Sequence, residues 1–440
     1  MSRVSRRKQP VPTVEEAQAY ITGLEMLGTR LGLDRVRALA HELGDPQLAY
    51  RTVHVVGTNG KSSTTRFIAS ILRAHGLKVG AYVSPHLVSL AERQLVDGVP
   101  TSDHEFYQLV ARIMPVAAAL EAGFPEGERL TQFEVLTAAA FLHFKEKRCD
   151  ATVIEAGLGG RWDATSIIRS DVQVVTTIGL EHTELLGETA LAILEEKAAV
   201  IPPGGTVMAG SLDEPVRARL VDICTERAAG LRLFGEDVSL LADPSQETFD
   251  VFGADDFYAN LRLSVLGSYQ RTNAAVSIGA AELFTGGALD HAALRSALLE
   301  TRVPGRLEVI SAQPLCILDG AHNPSGMAEM VRSLDRILER RRVIGVVSIL
   351  RDKGAVEMLR DLAPRCDILF VTENSNPRSY AAEELAALLE DIEKGPEVFI
   401  DRDARSALMS AYKLANSNQV ILVTGSLYLI SDLKRLLSGV

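Results

Sequence analysis

The chain has 440 residues, a net charge of −11 and an isoelectric point near 5.4. That balance disfavours general nucleic-acid binding, and at about 100–200 residues per domain the length implies two or three domains. No stretch is long and apolar enough to span a membrane. The four cysteines are widely spaced without a CxxC pair, which excludes a zinc ribbon or disulfide framework and points to a cytoplasmic setting with reduced thiols.

Met1 to Val14 is basic (Arg3, Arg6, Arg7, Lys8), has no apolar signal-peptide core behind it, and reads as a flexible tail. Val14 to Leu43 reads as helical, punctuated at Gly23, Gly28 and Gly32. Arg51–Val56 is an apolar run that reads as a buried strand. Gly57-Thr58-Asn59-Gly60-Lys61-Ser62-Ser63 follows, and Lys61 to Ala74 carries Phe67, Ile68, Ile71 and Leu72 on one helical face, with Gly76 as its stop. A strand turning through glycines into a helix offers backbone N–H groups at the positive end of the helix dipole, a geometry that holds phosphates. Gly57 and Gly60 allow close approach, Lys61 neutralises the terminal phosphates, and Ser62 or Ser63 reaches a magnesium ion. An ordinary glycine turn is the plain alternative, since Val55 stands where the first glycine of a full Walker motif belongs.

Lys78 to Val83 reads as a second strand delivering Ser84-Pro85-His86-Leu87 beside that loop, so Ser84 is either a metal or phosphate ligand or part of a proline turn. Thr131-Gln132-Phe133-Glu134 opens a helix running to about Lys147, with Thr131 and Glu134 as a capping box. Ala151 to Ala156 is a buried strand ending at Glu155 and Gly157-Leu158-Gly159-Gly160-Arg161-Trp162-Asp163. A carboxylate inside an apolar strand is costly without a cation, which favours Glu155 as a magnesium ligand over a structural acid. Asp171 to Ile178 leads to Glu181-His182, and His182 gains interest by following a strand into the same cleft. Thr189 to Val200 reads as a helix whose Glu195, Glu196 and Lys197 form a solvated face.

Residues 205–265 read as further alternating strands and helices. A helix follows from Ala274 to Phe284, which makes Asn273 a candidate N-cap. Another runs from His291 to Arg302 and stops at Val303-Pro304-Gly305-Arg306, the expected domain boundary. From Leu307 onward strand and helix alternate, predicting a mostly parallel doubly wound sheet. The loop after its first strand is Asp319-Gly320-Ala321-His322-Asn323-Pro324, whose composition also suits a plain turn.

Taken together, GTNGKSS, SPHL, TQFE, EAGLGGRWDAT, GLEHTELLG, EEKA, Gln270 with Asn273, PGR, DGAHNP and TGSLYL resemble the folylpolyglutamate synthase and dihydrofolate synthase family of the Mur ligase superfamily, over nearly the whole chain after about residue 15. The resemblance implies an α/β fold: an N-terminal P-loop-type ATPase domain with a mostly parallel sheet over 15–303, and a smaller C-terminal doubly wound Rossmann-like domain over 304–440. It implies ATP on Gly57, Thr58, Asn59, Gly60, Lys61, Ser62, Ser63, Asn273 and Arg306, with Asp319 and His322 reaching across from the second domain. One magnesium would sit on Ser84 and Glu155, with His182 sharing. A second would sit on Lys197 carrying a carbamate, which replaces the solvated-face reading of that lysine. Thr131, Phe133 and Asp163 would hold the pterin. Lys61, Lys197 and His182 would be the catalytic set.

The implied activity is ATP-dependent addition of L-glutamate to dihydropteroate, a reduced folate, or both, by a monomeric enzyme with no nucleic-acid or membrane partner. Ser62, Glu181, Ala199 and Gly354 depart from the family pattern, and Pro377-Arg378 sits in an altered setting. A Mur-type ligase for a different acid, a catalytically silent nucleotide-binding relative and a P-loop NTPase motor or switch are the competing readings.

Overall fold

The computed structural model describes residues 12–25, 28, 30–243, 246–338, 341–390, 392 and 395–438. The expected basic tail therefore lies outside the described residues except for its last three, and of these Thr13 already caps the first helix.

In chain order the first lobe runs α1 (Val14–Leu24), α2 (Asp34–Glu42), β1 (Arg51–Val56), α3 (Lys61–Ala74), β2 (Val79–Tyr82), β3 (Gln94–Val96), β4 (Val99–Pro100), α4 (Asp103–Glu121), α5 (Gln132–Glu146), β5 (Ala151–Glu155), β6 (Val172–Val175), α6 (Thr183–Leu186), α7 (Ala190–Ala198), β7 (Thr206–Ala209), α8 (Glu214–Glu226) and β8 (Gly230–Leu233). It continues through β9 (Ser239–Leu241), β10 (Phe249–Phe252), β11 (Phe257–Leu261), α9 (Ser268–Thr285) and α10 (His291–Glu300). The second lobe runs β12 (Glu308–Ala312), β13 (Leu315–Leu318), α11 (Pro324–Leu338), β14 (Arg342–Val347), α12 (Ala355–Leu362), β15 (Cys366–Val371), α13 (Ala382–Ala387), β16 (Glu397–Ile400), α14 (Ala404–Leu414), β17 (Gln419–Thr424) and α15 (Leu427–Ser438).

The large sheet has the order β4-β3-β2-β5-β1-β6-β7-β8 and is parallel except where β3 and β4 add an antiparallel edge. Its central strands β1 and β5 are buried almost throughout, as parallel strands covered on both faces must be. Strand order reverses around β1, β5 and β6, so the loops after these strands open into one crevice at their carboxyl ends. Helix α3 buries Phe67, Ile68, Ile71 and Leu72 and packs on α9 and α10. The second sheet has the order β12-β13-β17-β14-β15-β16, with only β12 antiparallel. Helices α11 to α13 cover one of its faces, and α14 and α15 the other.

The helical reading of 14–43, punctuated by glycines, resolves into α1 and α2. Other expectations change. The stretch 239–261 is a separate antiparallel three-stranded sheet, not alternating strands and helices, because too few residues separate its strands for a crossover helix. The longest helix among the described residues, α4, carries Pro115 in its interior, which argues locally against a helix. Burial of Phe106, Leu109, Val110 and Ile113 against α1 and α5 overrides that preference. Strand β12 is an edge absent from the sequence reading. All four cysteines are free and buried. No helix among the described residues is long and apolar enough to cross a membrane.

Candidate active site

A cleft of about 1280 Å³ lies between the two lobes. From the first lobe it is lined by the phosphate loop from Thr58 to Ser63, by Ser84, Glu155 and His182, and by Asn273. From the second it is lined by Arg306, Asp319, His322 and Lys353. Residues far apart in sequence are thus brought together, and Lys61, Glu155 and Asp319 border one cavity.

The phosphate loop owes its shape to two glycines. Gly60 sits at φ +85 directly before α3, and a Cβ there would lie 2.7 Å from Asn273 Oδ1. Gly57 sits at φ +148, where a Cβ would collide with the Thr176 hydroxyl. Both positions demand glycine for conformation and for space. Gly57→Ala is expected to cost about 1–3 kcal/mol in urea unfolding and to abolish nucleotide binding in titration calorimetry. A variant that bound ADP normally would contradict that role for the loop.

Lys61 Nζ donates to the carbonyls of Gly57 and Thr58, both at 2.9 Å. Its ammonium is therefore parked over the loop that it would neutralise around a bound phosphate. Glu155, 1% exposed, accepts from Ser62 Oγ (2.8 Å) and from the Ser84 backbone N–H (3.0 Å). Burial pushes its carboxyl up from the usual range, and Lys61, the Ser84 and Ser62 hydrogen bonds and Arg306 only partly oppose that. A buried carboxylate held by one serine hydroxyl and one serine N–H at the cleft wall fits a hard divalent cation, whose binding would favour the charged form. Among the described residues no three or more His, Cys, Asp or Glu side chains converge as a metal cluster. Phosphate oxygens and water would have to complete the shell, which is the coordination magnesium prefers.

Lys197 corrects the reading of 195–197 as a uniformly solvated face. Glu195 and Glu196 do point outward, to Arg219 (2.6 Å) and Arg161 (2.8 Å). Lys197 instead points inward, is 1% exposed, and donates to the Gly57 carbonyl (2.7 Å) and Glu181 Oε1 (2.9 Å). Successive residues on a helix point about 100° apart, so a charge run does not share one environment. The pair is unbalanced. Burial and then the charge of Lys61 lower Lys197 to about 8 despite Glu181. Burial pushes Glu181 up, but Lys61 and Lys197 together outweigh it and hold it at about 2. One carboxylate answers to two cations. His182 adopts a left-handed conformation (φ 48) at the start of α6 and lies exposed on the cleft wall.

Asp319 and His322 stand on the loop after β13. Asp319 accepts from the N–H groups of Leu307 (2.9 Å) and Ala321 (2.8 Å) and from the Tyr269 hydroxyl at 3.4 Å. Burial raises its carboxyl, with Arg306 opposing. His322 Nδ1 lies 2.8 Å from the Gly320 carbonyl, which can only accept, so Nδ1 carries the proton. Burial and then Arg306 lower this histidine to about 4, so near neutrality its Nε2 is a bare lone pair.

Asn273 lies inside α9 rather than at its N-cap, which is Gly267, and donates to Gln270 Oε1 at 3.0 Å. Thr131 completes the expected capping box with Glu134, and Glu134 also pairs with Arg35 at 3.1 Å. Asp163 accepts from the Leu158 (2.7 Å) and Thr165 (2.9 Å) N–H groups, tying down the loop after β5. Phe133 packs on Gly157, whose Cβ would strike its ring. These three stand behind the cleft wall and are not among its lining residues. The cleft also takes in Arg93, Tyr107 and Arg435, which belong to no motif and carried no sequence signal.

The chain matches the family model for the Mur ligase middle domain over residues 55–281 and that for the Mur ligase glutamate ligase domain over 305–427. It is 34% identical over 429 residues to the dihydrofolate synthase/folylpolyglutamate synthase of Bacillus subtilis, covering 96% of this chain and 98% of that one. Among solved structures it resembles Mycobacterium tuberculosis folylpolyglutamate synthase complexed with ADP, with a TM-score of 0.90, 29% identity and coverage of 96% and 99% of the two chains. It also resembles a bifunctional folylpolyglutamate synthase/dihydrofolate synthase with Mn, AMPPNP and L-glutamate bound, with a TM-score of 0.84, 32% identity and coverage of 98% and 100%.

Proposed function

Because the chain belongs to the folylpolyglutamate synthase and dihydrofolate synthase family of the Mur ligases, and is an ATP-dependent ligase joining L-glutamate to a pterin acid, we propose that it is bifunctional, taking both dihydropteroate and a reduced folate as acceptor. ATP and a divalent metal ion are its cofactors. The observation that carries the reading is the single cleft that sets Lys61 and Glu155 opposite Asp319 and His322.

A carboxylate resists attack by an amine because its carbonyl is electron-rich and its leaving group poor. Transfer of the terminal phosphoryl group of ATP converts it to an acyl phosphate, releasing ADP. The amino group of glutamate then displaces phosphate. Lys61 and the N–H groups at the start of α3 stabilise charge on the moving phosphoryl group. Glu155 with the hydroxyls of Ser62 and Ser84 would hold magnesium, which supplies further charge neutralisation on the phosphates. The bare Nε2 of His322 accepts an N–H of the incoming amine and orients its lone pair toward the carbonyl. Arg306, beside Asp319 and Glu155 at the lobe junction, contacts the nucleotide. We place the domain boundary at 303/304 and read the two lobes as closing over the nucleotide to exclude water.

A second ion is part of the same reading, held by Lys197 once the lysine has added carbon dioxide, while His182 shares the first. Only a neutral amine adds carbon dioxide, and the lowered pKa of Lys197 favours that form. Intact mass in bicarbonate, with and without Lys197→Arg, tests it. No carbon dioxide adduct on the wild-type chain would reject the second site.

Purified protein with ATP, magnesium and glutamate is expected to release ADP with each pterin acceptor in turn. Release with one alone makes it monofunctional, and release with neither rejects the folate reading. Ser62, where the family usually has glycine, donates directly to Glu155. Ser62→Gly is therefore expected to raise the magnesium concentration for half-maximal activity about tenfold. An unchanged magnesium requirement would show that the hydroxyl plays no part in holding the carboxylate.

A further inference from the structure

Asn59 lies within the phosphate loop, yet its side chain faces the other lobe. Its backbone is already committed: the N–H donates to Thr177 Oγ1 (3.0 Å), and the carbonyl accepts from the hydroxyls of Thr176 (2.7 Å) and Thr177 (3.2 Å). The end of β6 thus fixes the loop and leaves the carboxamide free to reach across the cleft. There Asn59 Oδ1 accepts from Asn323 Nδ2 (3.1 Å), and Asn59 Nδ2 donates to Ser325 Oγ (2.9 Å), with a longer approach to Asn323 Oδ1 (3.5 Å).

Asn323 is 4% exposed, and its Oδ1 also accepts from the Gly326 N–H (2.7 Å) in the first turn of α11. That N–H can only donate, so it fixes which atom of Asn323 is the oxygen and hence the sense of the whole network. Gly326 makes room: a Cβ there would lie 2.9 Å from Asn323 Oδ1. One carboxamide therefore opens a helix of the second lobe, and the other belongs to the loop that holds phosphate.

We propose that Asn59, Asn323 and Ser325 form a latch that keeps the lobes shut over the activated acceptor, with Asn59 a positioning residue for amide formation. The inference rests on the ligase reading above. An acyl phosphate reached by water returns the acceptor carboxylate and phosphate, so ADP accumulates with no amide formed. The latch ties the phosphate loop to the loop carrying Asp319 and His322, so both sides of the reaction keep one register. Neutral amides suit a contact that opens each turnover, because parting them exposes no unpaired charge.

The test uses Asn59→Ala and Asn323→Ser. Serine retains an oxygen to cap α11 but is too short to reach Asn59. Amide product and ADP are measured in the same reactions for wild type, each single variant and the double variant. Amide formed per ADP is expected to fall about tenfold in each single variant. The double variant should be no worse than the poorer single within about twofold, because both remove one contact. Amide hydrogen exchange across 319–326 should rise in both single variants. An unchanged amide-to-ADP ratio overturns the latch, and so do losses that multiply in the double variant. If the wild type releases no ADP with any pterin acceptor, the ligase reading fails instead, and hydrogen exchange alone then decides the latch.

Discussion

Lys61→Met is expected to lower the rate of acceptor-dependent ADP release by about a hundred- to a thousandfold while leaving the fold intact. Among the described residues its ammonium hydrogen-bonds two loop carbonyls, Gly57 and Thr58, and is half-buried at the cleft wall. Those carbonyls can turn to water when the lysine is removed, and the support its charge gives Glu155 and Glu181 is offset in part by relief of its repulsion with Lys197, so the loss of folding stability is modest. The phosphoryl group in flight would have no such substitute in a cleft closed to water, where a positive charge acts in a low dielectric. Methionine keeps the stem's volume and removes the charge. Steady-state ADP release together with thermal unfolding checks both halves. A variant retaining a tenth or more of the activity would remove Lys61 from the chemistry.

The second large effect is expected at the buried pair of Lys197 and Glu181. Their side chains are 2% and 9% exposed, so neither charge can turn to solvent. Breaking such a pair costs about 3–5 kcal/mol. Because Lys61 still faces Glu181 when Lys197 is gone, Lys197→Met should show only part of this in urea unfolding, together with loss of activity, since the same ammonium holds the Gly57 carbonyl of the phosphate loop. Lys197→Met combined with Glu181→Leu should recover part of the stability but none of the activity. Equal stability of the single and double variants would mean that the pair is not coupled.

The pH dependence of stability has two signs at this pair. Glu181, held at about 2 against 4.5, binds fewer protons folded than unfolded across that interval. Its contribution is full above pH 4.5 and is lost as pH falls toward 2. Lys197, lowered from 10.5 to about 8, is charged below pH 8 at a cost. That cost is relieved between pH 8 and 10.5, where the unfolded chain binds more protons. Wild-type stability minus that of the double variant should therefore fall on the acid side and rise on the alkaline side.

Residues whose roles depend on their immediate neighbours were legible in the chain. Strand β1, the loop from Gly57 to Ser63 and helix α3 form one continuous segment, so an apolar run, two glycines and a 3.6-residue period specify them together. The capping box at Thr131 and Glu134 and the alternation of strand and helix after Leu307 are local in the same sense. Glu155 was legible for a related reason: a carboxylate closing an apolar strand needs a partner wherever that strand packs.

What the tertiary structure alone decided was direction and neighbourhood. Lys197 shares a helix with Glu195 and Glu196, and only the docking of α7 against the phosphate loop determined that it turns inward to Glu181. Asn273 resembled a helix cap until the packing of α9 carried it against Gly60. The antiparallel sheet at 239–261, edge strand β12 and helix α4 with its internal proline depend on partners distant in sequence, where packing outweighs propensity. The meeting of Asn59 with Asn323 and Ser325 is the extreme case. Hydrogen-bonding capacity is written in the residue type, but the partner is chosen by how two separately wound sheets come to rest against each other.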